Sequence, residues 1–238
     1  SEAGMQPVEE RALAEADFVL SIVPPGDALH LAKHLAPVLT AANMKPVYVE
    51  CNAVSPPTML KISDVIAVTG CAFVGAGIMG PPPRPGSTNT KIYASGPAAR
   101  DFAKLNDYGL IVRVLDGPLT AASALKMSYA GITKGTTALG AMMMLAATRN
   151  GAAESLRAEL ERSQPALLPW FQRAIPAMFP KAYRFVGEMD EIADFVGEDP
   201  AAKKLYEAIS EFYTRLAKDF DGPHAETDAL ADLLKKKS

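Results

Sequence analysis

The hydrophobic pattern of the chain is dominated by one long, almost uncharged run over residues 120–148. The run is mostly Ala, Leu, Met, Thr, Ser and Gly, contains no proline, and carries Lys126 and Lys134 as its only charges. This length and composition favour a single buried helix over a strand, and Asn150 or Gly151 can form the left-handed turn that ends it. At about 1.5 Å per residue the helix would be roughly 40 Å long, enough to join an N-terminal half to a C-terminal half.

Before this helix, residues 1–116 alternate between strand-like and helix-like patterns in the order typical of a wound α/β sheet. An amphipathic helix is predicted over residues 27–39, and a second begins after Ser55, which precedes two prolines. A long glycine- and proline-rich loop over residues 75–86 follows the third strand. The predicted strands are residues 18–23, 47–51, 72–74, 91–95 and 110–115.

Three segments rich in proline, glycine or small polar residues follow the first three predicted strands, namely residues 24–26, 52–55 and 75–86. Ligands of such sheets bind at the carboxyl ends of the strands, so these segments are predicted to share one rim and to form a ligand site. The alternative is that the prolines and glycines only shape surface connections.

After Gly151 the pattern changes to helices separated by prolines, with no strand signal. The predicted fold is therefore α/β, a Rossmann-like sheet over residues 1–116, followed by an all-α domain over residues 117–238 that begins with the long helix. The remaining predicted helices are residues 152–162, 165–180, 185–195, 200–220 and 225–236.

Composition and charge exclude several classes of protein. The 238 residues are 49% hydrophobic and 21% charged, with a net charge of -3, which gives no support to nucleic-acid binding. Cys51 and Cys71 have neither metal-site spacing nor a disulfide framework around them, so a cytoplasmic protein is expected. The long apolar run is interrupted by Lys134 and three glycines, which argues against a membrane span.

Lys126 is the residue of the long helix that points most directly to chemistry. An ammonium in so apolar a segment reaches solvent, pairs with a carboxylate, or faces a cleft where its charge is used. Lys134 lies about 80° away around the helix and need not share the same site. The alternative is that Lys126 runs its methylene stem along the core and leaves its head in water.

The order of these parts resembles that of the β-hydroxyacid dehydrogenases, the group of 3-hydroxyisobutyrate and 6-phosphogluconate dehydrogenases. More narrowly, the chain resembles the branch of phosphogluconate-dehydrogenase-like proteins with a C-terminal domain of unknown function. The resemblance spans nearly the whole chain. The stretches that carry it are VLSIVPP at 19–25, YVECNAVSP at 48–56, AGIMGP at 76–81, SALKM at 123–127 and VGEM at 186–189.

The resemblance implies an NAD- or NADP-dependent oxidoreductase in which Lys126 is the acid/base for the alcohol being oxidised. It places the substrate against Met79, Gly80, Tyr129 and Ala130. The family's usual serine before the glycine is Met79 here, and its usual asparagine after the lysine is replaced in the Tyr129–Ala130 stretch. The substrate is therefore expected to be bulkier or less acidic than a small hydroxy acid, or to be an imine, as in imine reductases. The residues expected at the cofactor are Val23, Pro24, Pro25, Asn52 and Ser55.

The family opens with a strand, a G-x-G-x-x-G turn and a helix that hold the cofactor pyrophosphate. This chain is expected to lack that motif, because Ser1 already falls close to where the third strand of the fold would begin. About 60 residues, the length of two βα units, are therefore expected to be missing, and we interpret the chain as a fragment. The preference for NAD or NADP would be set in that part.

Two further expectations concern partners and competing functions. The near-continuous apolar character of residues 132–147, with Gly131, Gly135 and Gly140 for close helix approach, predicts a homodimer that acts on a small-molecule substrate, with no nucleic-acid or membrane partner. A non-catalytic ligand-binding relative is the main alternative to the enzyme. A metal site built on His30 and His34 lacks a nearby third ligand, so none is expected.

Overall fold

The computed structural model describes residues 6–82 and 88–235. The chain forms two compact units, Ser1–Ser128 and Tyr129–Ser238. This division lies within the long helix, whereas the sequence places a boundary of functional domains after residue 116, at the turn that precedes it. That boundary stays a prediction.

The first unit is built on a five-stranded mixed sheet in which sequence order and spatial order coincide. Strands β1 to β3 are parallel, β4 runs antiparallel to β3, and β5 is parallel to β4. The strands are β1 (Phe18–Ser21), β2 (Val47–Glu50), β3 (Phe73–Met79), β4 (Lys91–Ser95) and β5 (Val112–Val114). The helices are α1 (Ala28–Ala41), α2 (Pro56–Ala67) and α3 (Ala99–Phe102), with 3-10 turns at Glu10–Glu15, Pro25–Asp27 and Ala103–Tyr108.

Alternate residues of the central strands enter two separate cores. Tyr48 and Phe73 join the core that includes residues of α1 and α2, whereas their neighbours Val49 and Val74 join the core around Phe102. Both cores exclude water, since Tyr48, Val49, Val74 and Phe102 are fully buried. The middle of the sheet is therefore buried on both faces, as a wound sheet requires.

The third strand is longer than the sequence suggested. Strand β3 continues to Met79, so the predicted loop over residues 75–86 is wrong for residues 75–79, and its residues 83–86 lie outside the described residues. A Cβ atom at Gly75 would lie 2.4 Å from the carbonyl oxygen of Leu119, and one at Gly77 would lie 3.2 Å from Cβ of Lys126. These glycines therefore permit close approach of the following segment to the strand and do not form a turn.

The long helix is confirmed as α4 (Ala121–Arg149), and Gly151 just beyond it has φ +70. The other helices of the second unit also lie close to the predicted bounds. They are α5 (Ala153–Ser163), α6 (Leu167–Met178), α7 (Ala182–Phe195), α8 (Pro200–Phe220) and α9 (Ala225–Leu234), with a 3-10 turn at Phe179–Lys181. The fold class is therefore confirmed as a Rossmann-like mixed sheet followed by an all-helical region. Within the described ranges every helix is too short or too polar to cross a membrane.

The glycines of α4 contact the chain itself. A Cβ atom at Gly131 would lie 2.9 Å from the hydroxyl of Tyr206, and one at Gly140 would lie 2.3 Å from the ring of Phe171. Gly135 also faces Tyr206. The expectation that these glycines serve a partner's helix is therefore wrong, because side chains from α6 and α8 of the same unit occupy that space.

Candidate active site at the strand ends of the first unit

Asn52 joins the ends of the first two strands. Its side-chain oxygen accepts a hydrogen bond from the backbone N–H of Val23 at 2.7 Å, and its side-chain nitrogen donates to Oγ of Ser21 at 2.9 Å. The side chain is only 5% exposed. Asn52 was predicted to contact a cofactor, and the structure shows that it holds the segment after β1, which contains the other predicted cofactor residues.

Glu50 contacts the backbone of Asn52. It is fully buried at the end of β2, and its Oε1 atom accepts the backbone N–H of Asn52 at 2.9 Å. Its Oε2 atom has no hydrogen-bond partner among the described residues. Burial raises the pKa of Glu50 to about 7, an increase that hydrogen bonds from Asn52 and Ser21 partly offset. Both protonation states are therefore accessible near neutral pH.

Glu50→Gln should remove a pH-dependent loss of stability. The folded carboxyl group keeps its proton up to about pH 7, whereas the unfolded one releases it near the ordinary value of 4.5. The native state binds more protons between these values, so the free energy of unfolding falls as pH rises through this window, by on the order of 3 kcal/mol. Urea unfolding across this pH range should show a smaller decline in the variant.

An exposed glutamate provides the matched control for that measurement. Glu15→Gln removes the same charge from a surface position and should keep the pH dependence of the parent protein. An unchanged decline in Glu50→Gln would mean that Glu50 is not the group that titrates.

Ser55 caps a helix. Its Oγ atom accepts the backbone N–H of Thr58 at 3.4 Å at the start of α2, and the residue is fully buried. The preceding carbonyl oxygen, that of Val54, accepts a hydrogen bond from the hydroxyl of Ser123. The segment after β2 is therefore fixed both to α2 and to the first turn of α4.

Lys126 lies at the far end of β3. Its half-buried side chain donates from Nζ to the carbonyl oxygen of Ile78 at 2.6 Å. Met79 ends the strand half-buried, and Gly80 follows with φ +119, where a Cβ atom would lie 2.4 Å from the carbonyl oxygen of Asn89. The structure thus brings Lys126, Met79 and Gly80 to one strand end, and glycine is needed at position 80 for both space and backbone conformation.

The other predicted site residues have different surroundings. Val23 and Pro25 are half-buried and Pro24 is exposed, and Pro25 begins the turn before α1. Tyr129 and Ala130 belong to the second unit, where Tyr129 is 55% exposed and Ala130 is buried. Their contact with a substrate stays a prediction.

Sequence reasoning missed three residues of this edge. Ile22 is 61% exposed at the end of β1, Glu50 is buried without a cation, and Ser123 donates to the segment after β2. For Glu50 a signal existed, because a carboxylate inside a short apolar strand is unusual. Neither Ile22 nor Ser123 differs in pattern from ordinary core residues.

The glycine spacing of a dinucleotide-binding turn does occur in the chain, at Gly75, Gly77 and Gly80. The expectation that the chain lacks this spacing is therefore wrong. The first two glycines are strand residues, and β3 is followed along the chain by the antiparallel strand β4, not by a helix. This stretch therefore lacks the strand–turn–helix context in which the spacing holds a pyrophosphate.

The histidines of α1 have local partners. His34 contacts Oε1 of Glu10 through Nε2 at 2.8 Å, and the rings of His30 and His34 are stacked with centroids 6.4 Å apart. Over residues 6–82 and 88–235 no three potential metal ligands are clustered.

Comparison with known proteins shows that the chain has the fold of a group of dehydrogenases. Residues 147–216 match a domain of unknown function, DUF1932. The conserved protein MTH1747, described as being of unknown function with structural similarity to 3-hydroxyacid dehydrogenases, is 30% identical, with a TM-score of 0.69 over 92% of this chain and 82% of that one. No curated protein matches the sequence.

Two more distant structures share the fold alone. The 3-hydroxyisobutyrate dehydrogenase of Mycobacterium tuberculosis, solved with L-serine, is 16% identical with a TM-score of 0.68, covering 94% of this chain and 80% of that one. The imine reductase of Myxococcus stipitatus in complex with NADP+ is also 16% identical, with a TM-score of 0.50, covering 95% and 83%.

The mixed sheet, the crossing helix and the helical region define a protein with the fold of the 3-hydroxyacid dehydrogenases. The chain belongs to the β-hydroxyacid dehydrogenase superfamily, in the branch that carries this C-terminal domain of unknown function.

Proposed function

We propose that the protein is an NAD(P)-dependent oxidoreductase that transfers hydride between nicotinamide and a small hydroxy-acid-like or imine substrate, with Lys126 as the acid/base. The observation that carries this proposal is the hydrogen bond from Lys126 to the carbonyl oxygen of Ile78. It holds the ammonium at the end of β3, where Met79 and Gly80 lie, two of the residues that the family resemblance assigns to the substrate.

The first unit offers surfaces suited to the nicotinamide end of a dinucleotide. Ile22 and Pro24 expose apolar surface at the carboxyl end of β1, against which a flat ring can lie. Asn52 fixes the backbone of this segment through Val23, so the surface is preorganised. A bound dinucleotide would supply the hydride chemistry. The described residues that would hold its nicotinamide end are Ile22, Val23, Pro24 and Pro25.

Lys126 is well placed to move a proton. The carbonyl oxygen of Ile78 accepts one N–H of the side chain and orients it. In the direction of reduction, another N–H of Lys126 passes its proton to the substrate oxygen or nitrogen. In the direction of oxidation, the neutral amine takes that proton back.

Met79 bears on the substrate class. Where hydroxy-acid enzymes of the family carry a serine hydroxyl, this chain presents a half-buried thioether at the end of β3. A thioether has no hydrogen-bond donor to offer a carboxylate and is a good apolar contact, so it favours an apolar group. This supports a substrate less acidic than hydroxyisobutyrate, and it keeps an imine as the second candidate.

A substrate screen tests the proposal. The full-length protein is mixed with NADH or NADPH and a panel of keto acids, aldehydes and cyclic imines, and nicotinamide absorbance is followed. We expect at least one class to be turned over with one cofactor preferred. Cofactor binding without turnover of any class would support the non-catalytic relative.

The second unit leads us to propose a homodimer. Ile132, Leu139 and Met143 are 68%, 54% and 57% exposed on α4, and their spacing of seven and four residues places them in one straight stripe. A stripe of large apolar side chains on one helix is self-complementary between two copies of the chain.

Leu139→Arg should convert the dimer to a monomer, because a charge replaces an apolar contact at the centre of the stripe. Light scattering should report a halved mass, with unchanged helical content. Leu205→Arg is the control, since Leu205 is 52% exposed but lies on a different helix, α8. A monomeric parent protein at micromolar concentration would contradict the proposal.

A further inference from the structure

The second unit contains a pocket of about 310 Å³ whose lining comes from α4, α6, α7 and the turn before α7. Aromatic rings are prominent in it, since Tyr129, Trp170 and Phe185 all border the space. Tyr129 is 55% exposed and Trp170 is half-buried, so both present ring surface that other side chains do not cover. Rings so arranged suit a flat apolar ligand.

Lys134 and Phe185, which line one side of the pocket, are held in place by neighbouring residues. Nζ of Lys134 pairs with the carboxylate of Glu188 and lies 4.2 Å from the centre of the Phe185 ring. That ring meets Tyr213 edge-on at 5.3 Å, and the hydroxyl of Tyr213 donates to the carbonyl oxygen of Lys134 at 2.7 Å. These contacts fix Phe185 and Lys134 before any ligand arrives, which lowers the entropic cost of binding.

The two threonine hydroxyl groups of the pocket are already engaged. Thr133 donates to the carbonyl oxygen of Tyr129 at 2.8 Å, and Thr137 donates to the carbonyl oxygen of Thr133 at the same distance. Both threonine hydroxyls therefore donate to the backbone of the preceding helical turn and not to a ligand. The charged donors in the lining are the ammonium groups of Lys134 and Lys181.

Positive charges outnumber negative charges around the pocket. Lys134 feels the positive charges of Lys181 and Arg184, whereas Glu188 is the one carboxylate with a resolved effect on it. Burial, followed by these two cations, lowers the pKa of Lys134, while Glu188 opposes the change. Lys181 is exposed and forms no ion pair within 4.0 Å in the part of the chain that the structure describes. An anion at the mouth of the pocket would therefore be attracted to Lys181.

From the aromatic lining and the excess of cations, we propose that this pocket binds an aromatic carboxylate. The ring lies among Tyr129, Trp170 and Phe185, and the carboxylate contacts the ammonium of Lys181. The site would bind without any redox reaction. If the proposed oxidoreductase activity also holds, the same chemistry names aromatic acids as a class of effectors.

Trp170 is the single tryptophan of the chain and lines the pocket, so its fluorescence reports occupancy directly. The full-length protein is titrated with phenylacetate and, separately, with phenylacetamide, which has the same ring and no charge. We expect a saturable change in emission with phenylacetate and at least about tenfold weaker binding of the amide. Nicotinamide is left out, so failure of the redox proposal does not affect the result.

Two variants locate the binding site. Lys181→Ala should weaken phenylacetate binding about tenfold, whereas Lys204→Ala, which removes an exposed lysine on α8, should leave binding unchanged. Calorimetry with Trp170→Phe should still detect phenylacetate, because a phenyl ring replaces the indole. The proposal is overturned by the absence of saturable binding, by equal affinity for the amide, or by full affinity in Lys181→Ala.

Discussion

Lys126→Met is expected to lower turnover of an identified substrate by about 10²- to 10⁴-fold, the usual contribution of a positioned acid/base. Methionine has a similar length and is apolar, so it can occupy the same half-buried position in α4. The variant loses one hydrogen bond to the carbonyl oxygen of Ile78, which costs about 1 kcal/mol of stability. Steady-state kinetics and urea unfolding measure the two effects separately.

Lys104→Met is the matched control for that experiment. Its side chain is 73% exposed in the same unit and pairs with the surface carboxylate of Asp101. It should leave turnover unchanged and stability within about 0.5 kcal/mol. If Lys126→Met turned over the substrate as fast as the parent protein, Lys126 would be a packing lysine whose stem covers the core.

Lys134→Met should have a large effect of another kind, a loss of about 3 kcal/mol of stability. The pair that Lys134 forms with Glu188 is mostly buried, with 20% and 13% of the two side chains exposed. Removing the cation leaves Glu188 as an uncompensated charge and ends the contact with the ring of Phe185. Thermal or urea unfolding of the variant should show the loss.

The double variant Lys134→Met with Glu188→Leu tests whether the loss of stability comes from Glu188 or from the contact with Phe185. Because a well-packed apolar pair can replace a buried ion pair, we expect the second substitution to restore most of the lost stability. A double variant as unstable as Lys134→Met alone would mean that the lysine stabilises the unit through Phe185 and not through Glu188.

Most of the fold was predictable because the elements of this chain follow simple patterns. The long uncharged run became α4 within one residue at each end, and Pro200, after the capping residue Asp199, marked the start of α8 correctly. Strand β3 was cut short because glycine normally signals a turn. At Gly75 and Gly77 glycine is instead required by the close approach of a later segment, which sequence alone does not reveal.

The proximity of Lys126 and Gly80 could be predicted from the sequence, whereas the contacts of Asn52 could not. Lys126 and Gly80 could be assigned because each follows a recognisable stretch, and the structure brings them to one strand end. The resemblance names Asn52 as a cofactor residue but does not reveal that its side chain is committed to Val23 and Ser21. Such hydrogen bonds depend on tertiary geometry, which a linear pattern does not encode.

For Lys134 the sequence predicts an effect on turnover but not the effect on stability. Its angular separation from Lys126 predicts a smaller effect on turnover, and that stays a prediction. The burial of its charge depends on Glu188, which lies on a different helix. Lys134→Met, which is expected to have a smaller effect on turnover than Lys126→Met, is therefore expected to destabilise the protein.

The central claim is that this protein binds a nicotinamide dinucleotide for hydride transfer. Calorimetric titration of the full-length protein with NADPH and with NADH tests it most directly, because it requires no knowledge of the substrate. We predict saturable binding of at least one of the two, with micromolar affinity or better. Absence of binding to both at millimolar concentration would contradict the account.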